Sequence, residues 1–429
     1  MPGGAHLLGR TRALVGRIPT AALGVALLLT PAALWAPTSS AAPAATGSGD
    51  LGQVRASSAL RAAKTAGPTF AIVAFDSAAS AWGVACASAH PASGARVLYA
   101  AAGTGAIAAL GGTGAGEVRA ALLVLAGGSP PEAALDSARA QPGDANTRTL
   151  ALVAPDGRVA ATTGTRAVGW AGHRLGRGAA CVGEALEGSE TLDAMIAAFT
   201  ARSGDLGSRL LAALEAGERP GPGGSALEAG NGFASAALLV VRAGGGPLGE
   251  SDRLVDLRID AAADPIAALK ALYRRHSETY LAAAHVRFGD AAKRRGDDTA
   301  ATREYAEAEA GFRSAVARAP KDADALNEVA WFLALHGSDS AEALRFAEAA
   351  VGARGDDPNL WDTLAEAAYR GGSLDRAIEA ATRASRLDKE NARYTERLRA
   401  FRAAKEAMIG TEKGGTEKSG AGKDRDQAR

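Results

Sequence analysis

The sequence predicts an α+β domain, with sheets stacked between layers of helix, followed by an all-α helical repeat domain. Three observations carry this. Near-continuous apolar runs that read as paired strands begin at Thr69, and blocks of strand and helix alternate as far as Tyr273. Beyond Ala271 the composition turns to Ala, Glu, Arg and Leu, with a period of 34 residues. A chain of 429 residues accommodates two or three domains at roughly 100 to 200 residues each.

The first domain opens with TFAIVAF, a polar turn over 76–80, and AWGVACAS, which together read as a hairpin buried on both faces. A further strand is expected over 96–101, and helices over 116–126 and 130–140, the second with Ser129 as N-cap and proline in its first turn. LALVAPDGRVAATTG returns to strand, turned at Pro155-Asp156-Gly157. Helices over 191–201 and 205–216 precede the closing strands in ASAALLVVRA and LVDLRID. With 53 glycines and only 5% aromatics, small residues must do much of the packing.

In the second domain, a shift of 34 residues superposes Ala343, Leu344, Ala347 and Ala350 on Ala377, Ile378, Ala381 and Ala384, and Gly337 on Gly371. The segment Trp361-x-x-Leu364-Ala365 with Ala377 and Ala381 resembles the tetratricopeptide pattern, in which small residues let paired helices approach closely. Pro320 and Pro358 are expected to end helices at unit boundaries, and a degenerate unit is expected from Ser277 to Pro320. Stacked repeats of this kind leave a curved surface suited to a protein or peptide partner.

The amino terminus has the layout of a secretory signal: arginines at 10, 12 and 17, an apolar run over 21–35 interrupted by Pro31, then small residues around Ala42-Pro43-Ala44. The run is too short for a spanning helix, which needs about 20 residues, so an exported, periplasmic or extracellular protein without a stable membrane anchor is expected. The expected organisation is therefore a signal peptide over 1–45, a linker or propeptide over 46–68, the first domain over 69–275, the repeats over 276–408 and a disordered polar tail over 409–429. Net charge is +1, and loss of the three leader arginines makes it −2, which gives no electrostatic footprint for nucleic acid. In an oxidising compartment Cys86 and Cys181 are candidates for a disulfide, or else two buried small hydrophobes.

The span from Thr69 to about Leu272 is similar to the family catalogued as domain of unknown function 1028. The resemblance rests on Thr69-Phe70-Ala71-Ile72-Val73-Ala74, on Gly83-Val84-Ala85 running to Ser88, on Trp170-Ala171-Gly172-His173, and on Ser251-Asp252-Arg253-Leu254-Val255-Asp256-Leu257-Arg258 followed by Asp264-Pro265. It implies a four-layer αββα sandwich like that of N-terminal-nucleophile hydrolases. Chemistry of that type needs a Thr, Ser or Cys whose own α-amine is free to act as base. In this chain Thr69 is placed for that role if the bond after Pro68 is cut, and the activity implied is amide hydrolysis. The alternative is a non-enzymatic binding or scaffold module.

Ser88, at a strand end, and Asp252 with Arg253, ahead of a strand, are further candidates for ligand contact, the latter two for a ligand carboxylate. His173 is expected in a turn with a structural hydrogen bond. The glycines at 103, 105, 111, 112 and 114 precede a helix, yet neither G-x-x-x-x-G-K-[ST] nor G-x-G-x-x-G occurs in strand-to-helix context, so no cofactor is expected. Six scattered histidines give no metal-ligand spacing.

Overall fold

The computed structural model describes residues 67–167, 169–218, 232–337 and 339–420. The expected signal peptide, all of the expected linker before Gly67, and residues 421–429 of the expected tail lie outside the described residues.

Two antiparallel sheets make up the α+β region. In the first, β1 (Thr69–Asp76) and β2 (Ala81–Ser88) form the expected hairpin, whose turn is held by Asp76 accepting from the amides of Ala78 and Ala79. With β7 (Trp170–Gly176), β8 (Ala179–Leu186), β9 (Ser235–Val241) and β10 (Arg253–Ile259), they give a six-stranded sheet in the order β10-β9-β2-β1-β8-β7. The second sheet has four strands in sequential order: β3 (Leu98–Ala101), β4 (Gly105–Gly111), β5 (Arg148–Val153) and β6 (Val159–Thr162).

Sequence patterning misses β4, β7 and β8. The strands GAIAALG, WAGHRLG and AACVGEAL are poor in the β-branched residues that mark strands, and pairing partners distant in the chain supply what local propensity lacks. Residues 96–97 belong to a short helix, α1 (Gly94–Val97), so β3 begins later than expected. Gly103 and Gly105 make the β3–β4 turn with φ of +73° and +142°, conformations that side chains disfavour. Helix α2 (Ala115–Ala126) starts where expected, and Glu117 reaches back to accept from the amide of Gly114 at 3.1 Å. Helix α3 (Pro131–Arg139) has Pro130 rather than Ser129 at the N-cap position, since proline's missing donor costs nothing at a helix start.

Side-chain alternation along the strands builds three cores. Phe70, Ile72 and Ala74 of β1 face α4 (Glu190–Ala201), α5 (Leu206–Glu218) and α6 (Pro265–His276), where they meet Met195, Phe199, Leu210 and Leu214. Ala71 and Val73, on the opposite face, join Val84, Val182, Ala106, Ala108, Ala151 and Val153 between the two sheets. Ile107, Leu150 and Leu152 of the smaller sheet pack outward against Val118 and Leu125 of α2 and Ala134 and Leu135 of α3. Fully burying each large aliphatic or aromatic side chain contributes about 1.5–3 kcal/mol. The Trp82 indole donates to Ala154 O at 3.2 Å, tying β2 to the turn of the other sheet.

Arg148 is the bulkiest fully buried side chain, at 1% exposure. It lies on the outer face of β5, where it donates to the carbonyls of Ala138 and Arg139 at the end of α3 and of Pro142, and pairs with Glu117 at 2.9 Å. These bonds satisfy carbonyls that a helix end leaves open.

Cys86 and Cys181 are free and fully buried. A disulfide between them is excluded by alternation: Cys86 on β2 lies in the core between the sheets, while Cys181 on β8 lies in the core on the helix side. Side chains that leave a sheet in opposite directions do not bridge. Burial pushes the Cys86 thiol up to about 12 and the Cys181 thiol well above its ordinary range.

Helix α6 runs without a break through a π turn (Ser277–Leu281) into α7 (Ala282–Arg294), so the position expected for the domain boundary falls inside one helical stretch. The array continues with α8 (Asp298–Arg318), α9 (Ala323–His336), α10 (Ser340–Ala353), α11 (Pro358–Arg370), α12 (Leu374–Leu387) and α13 (Ala392–Gly420). The 34-residue equivalence holds in packing, because Ala343, Ala347, Ala350, Ala377, Ala381 and Ala384 are all buried. Aspartates cap α8, α9, α10 and α11 through Asp297, Asp322, Asp339 and Asp357. Pro358 opens α11 instead of ending a helix. Helix α13 continues to Gly420, through residues whose composition suggests a disordered tail. No helix among the described residues is long and apolar enough to cross a membrane.

Arg148→Met is expected to lower unfolding free energy by about 3 kcal/mol in urea titration, because it leaves Glu117 and three carbonyls without their donor. Alkylation after denaturation should find both cysteines free whether or not reductant was present beforehand, as read by intact mass.

Candidate functional site

Register places four polar side chains in one row across the four central strands of the six-stranded sheet. Ser235 on β9 pairs with Ser88 on β2, Ser88 with Thr69 on β1, and Thr69 with Glu184 on β8. Directly paired residues share a face, and alternation puts this row on the face toward the second sheet, at the end of the core that Ala71, Val84 and Val182 fill. There Thr69, Ser88 and Glu184 line a cleft of about 460 Å³ together with His90, Arg96, Gly111, Thr113, Thr147 and Arg166.

The row is wired by hydrogen bonds. The hydroxyls of Thr69 and Ser88 lie 2.7 Å apart, and Ser88 Oγ accepts from the His90 amide at 3.1 Å. Ser235 Oγ donates to His90 O at 2.7 Å and accepts from Ser93 N at 3.2 Å, with the Ser93 hydroxyl 2.6 Å away. The loop after β2 is thereby clamped to β9, which fixes Ser88 beside Thr69. The nitrogen of Thr69 is joined to Pro68, which is buried and whose carbonyl accepts from Ala89 N at 2.9 Å.

Glu184 is the charged member of the row. Its Oε1 is buried without a hydrogen-bond partner among the described residues, and burial raises its carboxyl above the ordinary range while the nearby Thr149 hydroxyl of β5 pulls it back. A side chain at Gly111, where φ is +60°, would put its Cβ 2.6 Å from Glu184 Oε1 and 2.5 Å from Thr147 O, so the glycine lets the second sheet close on the carboxyl. Ala185 follows with φ of +54°, an uncommon conformation for alanine that costs on the order of 1–3 kcal/mol and concentrates at functional sites. Thr113 Oγ1 is a second buried polar atom in the cleft wall without a partner.

Two of the residues expected from sequence therefore meet, and two do not. Thr69 and Ser88 are in contact, whereas Arg253 pairs in register with Val241, at the far end of the sheet beside Trp82. Ser88 is six steps along β2 from Trp82, about 20 Å at strand rise. Asp252 accepts from Gly244 N and Arg253 pairs with Asp256, so both hold a loop and a strand start. His173 lies in β7 rather than in a turn, with Nδ1 2.8 Å from Thr163 Oγ1. Sequence reasoning misses Glu184, Ser235 and Thr149. Their signal is a polar residue at the end of each apolar alternation, legible once the strands are placed. The tract at Gly111 is noticed, but it serves as cleft wall.

The family model described as a family of unknown function, DUF1028, matches residues 69–269. A Silicibacter pomeroyi protein of that family model, known from its crystal structure, is 32% identical over 49% of this chain and 86% of its own, with a TM-score of 0.44. For the repeats, a thermophilic TPR protein of Thermus thermophilus is 20% identical, over 32% of this chain and 68% of that one, with a TM-score of 0.28. The first TPR domain of human RPAP3 is 18% identical, over 32% of this chain and 98% of that one, at 0.25. No curated protein matches the chain.

A carboxyl whose folded-state value is raised contributes stability that is fully present below its unfolded value and lost as pH rises through the folded one. Glu184→Gln is therefore expected to melt above the parent protein at pH 7, with the gap closing near pH 4. A constant gap across that window would mean that the carboxyl is solvated.

Proposed function

We propose, for a chain that belongs to the DUF1028 family, that the Thr69 cleft is an amide-hydrolysing site of the N-terminal-nucleophile kind, held in an exported protein. The observation that carries this is the Thr69 hydroxyl at the first position of a central strand, 2.7 Å from Ser88 Oγ and opposite Glu184, at the edge of a cleft. Helices against each outer sheet face, with a core between the sheets, support a reading as the four-layer αββα sandwich of such hydrolases. Export rests on the basic, apolar and small-residue order of the first 45 residues.

The chemistry needs the Pro68–Thr69 bond hydrolysed first. Thr69 Oγ1 then attacks the substrate amide carbon while its proton passes to the freed α-amine, and that proton goes on to the leaving nitrogen. Water hydrolyses the resulting ester and regenerates Thr69. Ser88 positions the attacking oxygen. Glu184, across the strand, offers an unsatisfied acceptor that would hold the protonated α-amine.

A second reading is favoured by the state of Pro68, which is buried with its carbonyl paired to Ala89. If that segment stays intact the amine remains an amide, and the cleft belongs to a binding module without catalysis. In both readings the curved face of the helical repeats takes a protein or peptide partner.

Amino-terminal sequencing of protein recovered from its native compartment separates the two. A chain starting at Thr69 is expected, and Thr69→Ala should lower hydrolysis of a model amide by ~10³-fold or more. A mature start ahead of Pro68 leaves the binding module.

A further inference from the structure

A second cavity, sharing no lining residue with the Thr69 cleft, lies where the sheet region meets the repeats. It is a groove of about 610 Å³ between α5 and α6 on one side and α8 on the other. Behind it is a smaller cavity of about 80 Å³, and Asp205, Leu281, His285 and Glu307 line both.

Three acceptors there are open. His285 is 6% exposed, and its Nδ1 lies 2.7 Å from Glu304 Oε2. A carboxylate accepts only, so Nδ1 carries a proton, and in the neutral imidazole Nε2 presents a lone pair, buried with no partner among the described residues. Glu307, half-buried and one turn along α8 from Glu304, has no hydrogen bond or ion pair among the described residues, and burial and then Asp205 raise its carboxyl. Asp205 receives Gly207 N, Ser208 N and the Tyr273 hydroxyl on Oδ1, and no hydrogen bond among the described residues falls on Oδ2. The groove is also lined by Arg202, Lys270 and Arg274, of which Lys270 pairs with Glu215, but carboxylates at Asp205, Glu215, Glu218, Asp264 and Glu307 outnumber them. Arg242 and Arg303, at the small cavity, both pair with Glu304, although Arg242 Nη1 is buried without a partner among the described residues. Burial works to raise the Glu304 carboxyl, but His285 and Arg242 outweigh it and hold it at about 2.

We propose that this groove binds a small aliphatic primary amine as its ammonium ion, donating to His285 Nε2, Glu307 and Asp205 Oδ2. Leu211, Ile266 and Leu281 supply an apolar wall for the stem. An ammonium suits acceptors that do not converge tightly. It reaches them at about 2.9 Å, whereas a zinc ion needs about 2.1 Å, and no group of three ligating side chains among the described residues is set for a metal. The bound amine would touch the sheet region and the repeats together.

Isothermal titration of the full chain with n-butylammonium chloride tests this, with tetramethylammonium as an equal charge lacking N–H and 1-butanol as an uncharged stem. Saturable one-to-one binding of butylammonium alone is expected, with a raised thermal midpoint. His285→Phe and Glu307→Gln should each weaken it by about tenfold or more, and circular dichroism would check their folding. Glu307→Gln, at a half-buried site, keeps the test decisive if His285→Phe unfolds. Absence of saturable binding, an equal response to either control, or unchanged affinity in Glu307→Gln would overturn the proposal and leave a water-filled joint. Because the groove shares no residue with the cleft, loss of Thr69 chemistry would leave this result unaffected.

Discussion

The placement of β1 between β2 and β8 is the constraint on which the rest depends. A strand in the interior of a sheet has its hydrogen bonds used on both edges, so its register cannot slip without turning Phe70 and Ile72 out of one core and Ala71 and Val73 out of another. That fixed register is what brings Thr69, Ser88 and Glu184 to one level. The polar row is therefore inexpensive to position: the apolar packing below it sets the geometry, and the hydroxyl network above only trims it.

The same economy explains where burial is tolerated. Arg148 and Glu184 are both taken from water near the junction of β5 with its neighbours, yet they are treated differently. Arg148 gives both Nη groups to carbonyls and a carboxylate and leaves only Nε without a partner among the described residues. Glu184 keeps an unmatched oxygen facing a cleft. An unmet buried acceptor is costly, and its presence beside a hydroxyl pair separates a working surface from a structural one. The serine hydroxyls that line the larger groove at the joint, at Ser208, Ser277 and Ser314, are each given to a backbone carbonyl or to Glu278, so its size alone does not make it the reactive site.

Much of the architecture was legible because it follows from period and composition. The β1–β2 hairpin, the helices α2 to α5 and the 34-residue spacing of buried alanines all follow from local pattern. What escaped was decided by distant partners. Strands β4, β7 and β8 are poor in β-branched residues, and their strand character comes from pairing and not from propensity. With β8 unplaced, Glu184 could not be seen opposite Thr69. Asp252 and Arg253 read as ligand groups because they stand beside each other, but a strand end has two ends of the sheet to choose from, and theirs is the one away from the cleft. The cysteine pair shows the same limit, since which face a side chain takes depends on strand phase.

The unbroken helical passage from Pro265 to Arg294 gives the joint an indexing role. One residue of α-helix turns the chain by about 100° and advances it 1.5 Å, so a residue inserted or removed in this shaft would swing the whole superhelix to a new azimuth about the sheets. A π turn is the local form in which a helix accommodates an extra residue. Gly311 of α8, whose Cβ would meet Ser277 O at 2.5 Å, lets the neighbouring helix settle against that widened coil. The heading of the repeats is thus set by residue count in a five-residue coil.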